Sequence, residues 1–136
     1  MLMFLGLLSR EEKFYFIDLL IKVIAIDGEA SATELQIINR LKYEMGEDAH
    51  KYRKSALSMD KLIDYFAEKP KATKNLVFMN IVQASLHDEF YSVEDHFLIE
   101  QIQEKFGISN KKKSELMKIV YADRDLREKA KRVIVE

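Results

Sequence analysis

The sequence predicts an all-α fold, a compact bundle of about seven helices with two pseudo-repeats around a central apolar helix. Three observations carry this expectation. Four Gly and one Pro in 136 residues leave few loop formers, which favours long, closely connected helices over many short strands with tight turns. Apolar residues recur at helical spacing behind Ser-led acidic starts. The pattern also repeats without a gap at an offset of 61 residues: Asp27, Ser31, Glu34, Ile38, Leu41 and Gly46 map onto Asp88, Ser92, Asp95, Ile99, Ile102 and Gly107. Upstream, Ile17, Leu20 and Ile21 map onto Phe78, Ile81 and Val82 in the same register.

Each copy reads as helix, short acidic loop, helix. Ser9 with Glu12 makes a capping-box signature, followed by Phe14, Ile17, Leu20, Ile21 and Ile24 on helical spacing. Because Phe14, Phe16, Leu19, Leu20, Val23 and Ile26 fill several faces, this first helix is expected at the centre of the bundle. Ser31 with Glu34 repeats the signature before Leu35, Ile38 and Leu41, and Gly46 supplies a left-handed stop. "SMDKLIDYFAEKP" makes a connecting helix over about 58–69, which Pro70 ends. The second copy runs from Pro70 to about His87, caps again at Ser92 with Asp95 and stops at Gly107. Asp48 and Ser109 suit the caps of a third helix in each copy. The pseudo-repeats thus cover about 10–57 and 71–121, with a separate basic helix over about 123–136, all in a single domain.

Composition narrows the function classes. A chain that is 48% hydrophobic and 33% charged has the apolar content to fold, and its lack of Cys excludes disulfides, thiolate metal sites and a cysteine nucleophile. "MLMFLGLLSR" has no basic residue ahead of its apolar stretch and no small-residue cleavage site, so it reads as the lead-in to the first helix. No apolar run approaches the roughly 20 residues of a membrane span, and Asp18 and Lys22 interrupt the best candidate. A cytoplasmic protein is expected.

The acidic loops are the candidate site. Asp27 and Glu34 stand seven residues apart across a turn, as do Asp88 and Asp95, and each pair could converge on one divalent cation, with Ca²⁺ or Mg²⁺ suited to such oxygen donors. The spacing is not that of an EF-hand, whose alternate acidic positions and terminal Glu are missing from "DGEASATELQII". Capping alone is the competing explanation, since Ser31 and Ser92 are ordinary N-caps and Glu34 and Asp95 stand where a capping box puts an acid. His87 and His96, with Asp88, Glu94, Asp95 and Glu100, form a weaker candidate set suited to Zn²⁺ or Mn²⁺. That set also supports an alternative, a metal-dependent enzyme with a His/Asp site around residues 87–96. No phosphate loop, nucleophile elbow or paired di-iron motif is present, and no catalytic residue or organic cofactor is assigned.

Charge is uneven: residues 105–136 carry 10 basic and 5 acidic side chains within a chain of net charge −1. The basic run from Lys111 onward could touch nucleic acid, an anionic membrane surface or an acidic partner, while a solvated helical face explains it as well; a nucleic-acid role is disfavoured because Tyr121 is the one aromatic residue in 111–136. Phe4 and Leu7 offer an apolar surface for a homodimer.

The helix ending in "AIDGEASATEL", the apolar positions after it and the second copy resemble the TerB-like family of bacterial tellurite-resistance proteins over roughly residues 10–121. Asp27, Gly28, Glu29 and Glu34 match the family's acidic loop pattern, with Ile26 in place of its usual small residue, and Asp88 and Asp95 hold the equivalent places in the second copy. The resemblance implies an all-helical domain with an acidic face formed by the two loops. It further implies binding of metal cations or partner proteins, within stress-response complexes that assemble near the inner membrane.

Overall fold

Ser9 starts the first helix as its sequence dictates. In the computed structural model, which describes residues 3–27, 36, 39–40, 42–43, 51–87 and 92–136 (27 and 87 by backbone alone), Ser9 is extended at φ −67° and ψ 168°. Its Oγ accepts from the Glu12 N–H at 3.2 Å while Glu12 Oε1 accepts from the Ser9 N–H at 2.8 Å. This reciprocal cap opens α1 (Arg10–Ile24), which passes into a 3-10 turn, Ala25–Asp27. Ser58 caps α2 (Met59–Ala67), its Oγ accepting from the Lys61 N–H at 3.3 Å. Pro70 then separates α2 from α3 (Lys71–His87), and its carbonyl accepts the first helical bond, from the Lys74 N–H at 3.1 Å.

The second capping box forms as well. Ser92 Oγ accepts from the Asp95 N–H at 3.0 Å and Asp95 Oδ2 accepts from the Ser92 N–H at 3.2 Å, opening α4 (Val93–Phe106). Gly107 ends it in the left-handed region at φ 66° and ψ 30°, where the Ile108 N–H donates to the Gln103 carbonyl at 3.0 Å. Ser109 caps α5 (Asn110–Val135), its Oγ accepting from the Lys112 N–H at 3.1 Å. Every regular element among the described residues is helical: the five α-helices, 3-10 turns at Leu5–Leu7 and Ala25–Asp27, and further helical residues at 36, 39–40, 42–43 and 51. The cap expected at Asp48, the stop at Gly46 and the Ser31–Glu34 box lie outside the described residues.

Two features differ from the sequence expectation. Among the described residues the central helix is α3 rather than α1: it packs against α1, α2, α4 and α5, and every residue from Val77 to Ser85 is buried. The cause is the absence of Asp, Glu, Lys and Arg between Asn75 and His87, whereas Asp18 and Lys22 interrupt the apolar stretch of α1. The basic tail, expected as a separate helix over 123–136, is the second half of a single helix that starts at Asn110. Nothing between Asn110 and Val135 breaks it, because that stretch has neither Gly nor Pro.

The core joins Phe16, Ile17, Leu19 and Leu20 of α1, Leu62, Ile63 and Phe66 of α2, Phe78, Ile81 and Val82 of α3, and Ile99, Ile102 and Phe106 of α4. Truncating any of the four phenylalanines to Ala would cost about 3–5 kcal/mol in lost transfer energy and cavity formation. No helix among the described residues is long and apolar enough to cross a membrane.

Candidate functional site

The acidic loops begin where helices end. Asp27 closes the 3-10 turn after α1, and that turn packs against α4, the helix to which the second loop leads. Glu34, Asp88 and the side chains of Asp27 and His87 lie outside the described residues. Asp95 is buried, and its carboxylate serves the cap: Oδ2 accepts from the Ser92 hydroxyl at 2.9 Å as well as from its N–H. His96 lies on the exposed side of α4, with Nε2 3.1 Å from Glu100 Oε1 one turn on. Among the described residues no three His, Cys, Asp or Glu side chains gather as a metal would require.

A buried polar centre exists that sequence reasoning missed. Asp18, only 3% exposed, sits among the apolar residues of α1, and both of its oxygens are used. Oδ1 accepts from the Tyr52 hydroxyl and Oδ2 from the Ser55 N–H at 3.1 Å, so one carboxylate fastens the chain before α2 to the middle of α1. The Tyr52 ring meets Phe14 edge-on with centroids 5.8 Å apart, and Lys42 Nζ stands 5.2 Å from its centre. Burial, the hydrogen bond to Asp18 and the negative charge of Asp18 together hold the Tyr52 phenol well above its ordinary pKa. The available signal was a lone carboxylate at position 18 inside "FYFIDLLIKVI", where an acid must find donors if the helix is buried.

A second polar seam joins the start of α1 to the end of α2. Tyr65 donates to Glu11 Oε1 at 3.1 Å, its ring lies 4.5 Å from that of Tyr15, and Lys69 Nζ stands 4.7 Å above it while pairing with Glu12 at 3.6 Å. Burial first, then the hydrogen bond and charge of Glu11, raise the Tyr65 phenol above its usual pKa.

On α3, three buried polar residues face different neighbours. Asn80 Oδ1 accepts from the Met3 N–H at 2.7 Å, and Nδ2 donates to the Met3 and Leu76 carbonyls at 3.0 and 2.8 Å, which clamps the leading segment to the central helix. Gln83 Nε2 donates to Asp123 Oδ2 at 3.1 Å, and the same oxygen accepts from Arg127 Nε at 2.9 Å, so α3 grips α5 at its midpoint. Among the described residues Ser85 Oγ has no hydrogen-bond partner.

These features define an all-α helical bundle whose buried polar groups hold elements together. No family model, curated protein or solved structure matches the chain.

Proposed function

We propose that the chain is a non-enzymatic TerB-like interaction module. Its duplicated acidic loops, through Asp27, Glu34, Asp88 and Asp95, bind a divalent cation or a basic surface of a partner protein in a bacterial stress-response or tellurite-resistance setting. The observation that carries the reading is the contact between the turn ending at Asp27 and α4, which starts the first loop beside the helix that follows the second.

The 61-residue offset in the sequence supports it. Helices α1 and α3 start at Arg10 and Lys71, 61 residues apart, and the equivalent residues Ile17, Leu20, Phe78 and Ile81 are all buried. Gln36, Asn39, Arg40, Lys42 and Tyr43 are helical, and the same offset places them on α4. A seven-helix arrangement with two related halves is the bundle this reading requires.

Titration of the metal-free protein with Ca²⁺, Mg²⁺, Mn²⁺ and Zn²⁺, followed by amide NMR and thermal unfolding, tests the cation arm. Saturable shifts centred on 27–34 and 88–95, with a rise in Tm, are expected for a ligand that binds the folded state. The partner arm is tested with the variant carrying Ala at all four acidic positions, used as bait in a bacterial lysate beside the natural chain. Unchanged cation and partner binding in that variant would sink the reading.

A further inference from the structure

The second half of α5 extends past the bundle. Of its 26 residues only Val120 is buried, and after Asp123 every residue through Glu136 is exposed. Yet one face of this stretch is apolar. At 3.6 residues per turn, Ile119, Ala122, Leu126, Ala130 and Val133 fall within about 40° of a single line along the helix. Ile119, Leu126 and Val133 are 50%, 66% and 59% exposed and recur every seventh residue, the spacing of a helix-pairing seam. Val120, which faces the bundle, lies about 120° from that line, so the molecule's own core leaves the seam uncovered.

The charges around the seam indicate what covers it. The run Asp123, Arg124, Asp125, Leu126, Arg127, Glu128, Lys129 inverts in sign about Leu126: each charge stands as far from Leu126 as an opposite charge on the other side. We propose that α5 pairs with α5 of a second copy, antiparallel, about a two-fold axis through Leu126. Leu126 then meets Leu126 of the second copy, Ile119 meets Val133, and the small Ala122 meets Ala130, letting the helices approach closely. On one flank Asp123 lies about 3 Å along the axis from Arg127 of the second copy, and on the other Lys129 stands in the same relation to Asp125. A parallel pair would instead set Asp123 beside Asp125, and Arg127 beside Lys129, of the second copy, each about 3 Å apart along the axis and each a pair of like charges.

The apolar contact spans about 21 Å of helix, shorter than a standard protein interface provides, so the dimer is reversible and micromolar. Sedimentation of the full chain from low micromolar to near-millimolar concentration should show monomer passing to dimer. Leu126→Lys replaces an exposed residue, so thermal unfolding of dilute protein stays unchanged. It alters the contact from both copies at once and should weaken association by about a hundredfold. Geometry is read by disulfides, since the natural chain has no Cys. Under mild oxidation Leu126→Cys links to itself, and Ile119→Cys links to Val133→Cys when the two proteins are mixed. Ile119→Cys alone does not, because the two-fold sets its copies about 21 Å apart. A monomer throughout the range, or self-linking of Ile119→Cys as fast as Leu126→Cys, overturns the proposal. Association lost on Phe4→Ser and Leu7→Ser but kept in Leu126→Lys also overturns it, and moves the interface to the leading segment.

Discussion

The Tyr52 hydroxyl donates its hydrogen bond to the buried carboxylate of Asp18, and the Ser55 N–H bonds the other carboxylate oxygen. A charge this deep in an apolar helix is tolerable only because both oxygens have donors. Tyr52→Phe removes one of them and leaves the charge in place, so a loss of about 2–3 kcal/mol is expected in urea unfolding. A variant as stable as the natural chain would show that the bond contributes nothing net.

The same contact sets a pH dependence. Folding raises the Tyr52 pKa above its unfolded value of about 10, so the folded state holds the phenolic proton more tightly. Its contribution is therefore complete below about pH 10 and declines as pH rises further. Tyr65 adds a decline of the same sign through its burial and the hydrogen bond and charge of Glu11. Stability measured between neutral pH and the alkaline limit should fall less steeply in Tyr52→Phe, and least in the double variant with Tyr65→Phe.

Helix α3 offers two opposite outcomes from neighbouring residues. Asn80→Ala abandons three hydrogen bonds and exposes the Met3 backbone groups, a loss of about 2–3 kcal/mol. Ser85→Ala instead removes a buried hydroxyl that has no partner among the described residues, and is expected to be neutral or to stabilise by about 1 kcal/mol. Equal destabilisation by both would mean that packing, not hydrogen bonding, governs this helix.

How much of this was legible follows from the kind of signal each element carries. Local chemistry was readable: the caps at Ser9, Ser92 and Ser109 and the stop at Gly107 depend only on neighbours three or four residues away. The central place of α3 among the described residues follows from its uncharged stretch between Asn75 and His87, a signal that the expectation of a central α1 does not use. Long-range polar pairs such as Asp18 with Tyr52, Asn80 with Met3 and Gln83 with Asp123 were invisible, because their partners lie 34, 77 and 40 residues away and no periodicity links them. At the candidate site, the sequence located the helix ends but not whether an acid there serves as cap or ligand, since both roles select the same residue.

Gly107 tests a purely conformational term. Its φ of 66° lies in the left-handed region, while a Cβ built there meets nothing within 4 Å. Gly107→Ala should therefore cost about 1 kcal/mol through backbone strain alone, and Gly107→Asn less, because Asn enters that region more readily. A cost well above that for Ala, measured by thermal unfolding, would point to a steric neighbour instead.

Asp95 is where capping and binding can be separated. Its carboxylate and the Ser92 hydroxyl share one capping box, so Ser92→Ala and Asp95→Ala should each destabilise by about 1 kcal/mol. The double variant should lose less than the sum, because either change alone dissolves the reciprocal pair. Divalent cation then distinguishes the roles. If Asp95 also holds a cation, the cation-dependent rise in Tm disappears in Asp95→Ala and survives in Ser92→Ala, which keeps the carboxylate. We expect that split. An equal rise in both variants would confine Asp95 to the helix start and place any cation on other acids of the loops.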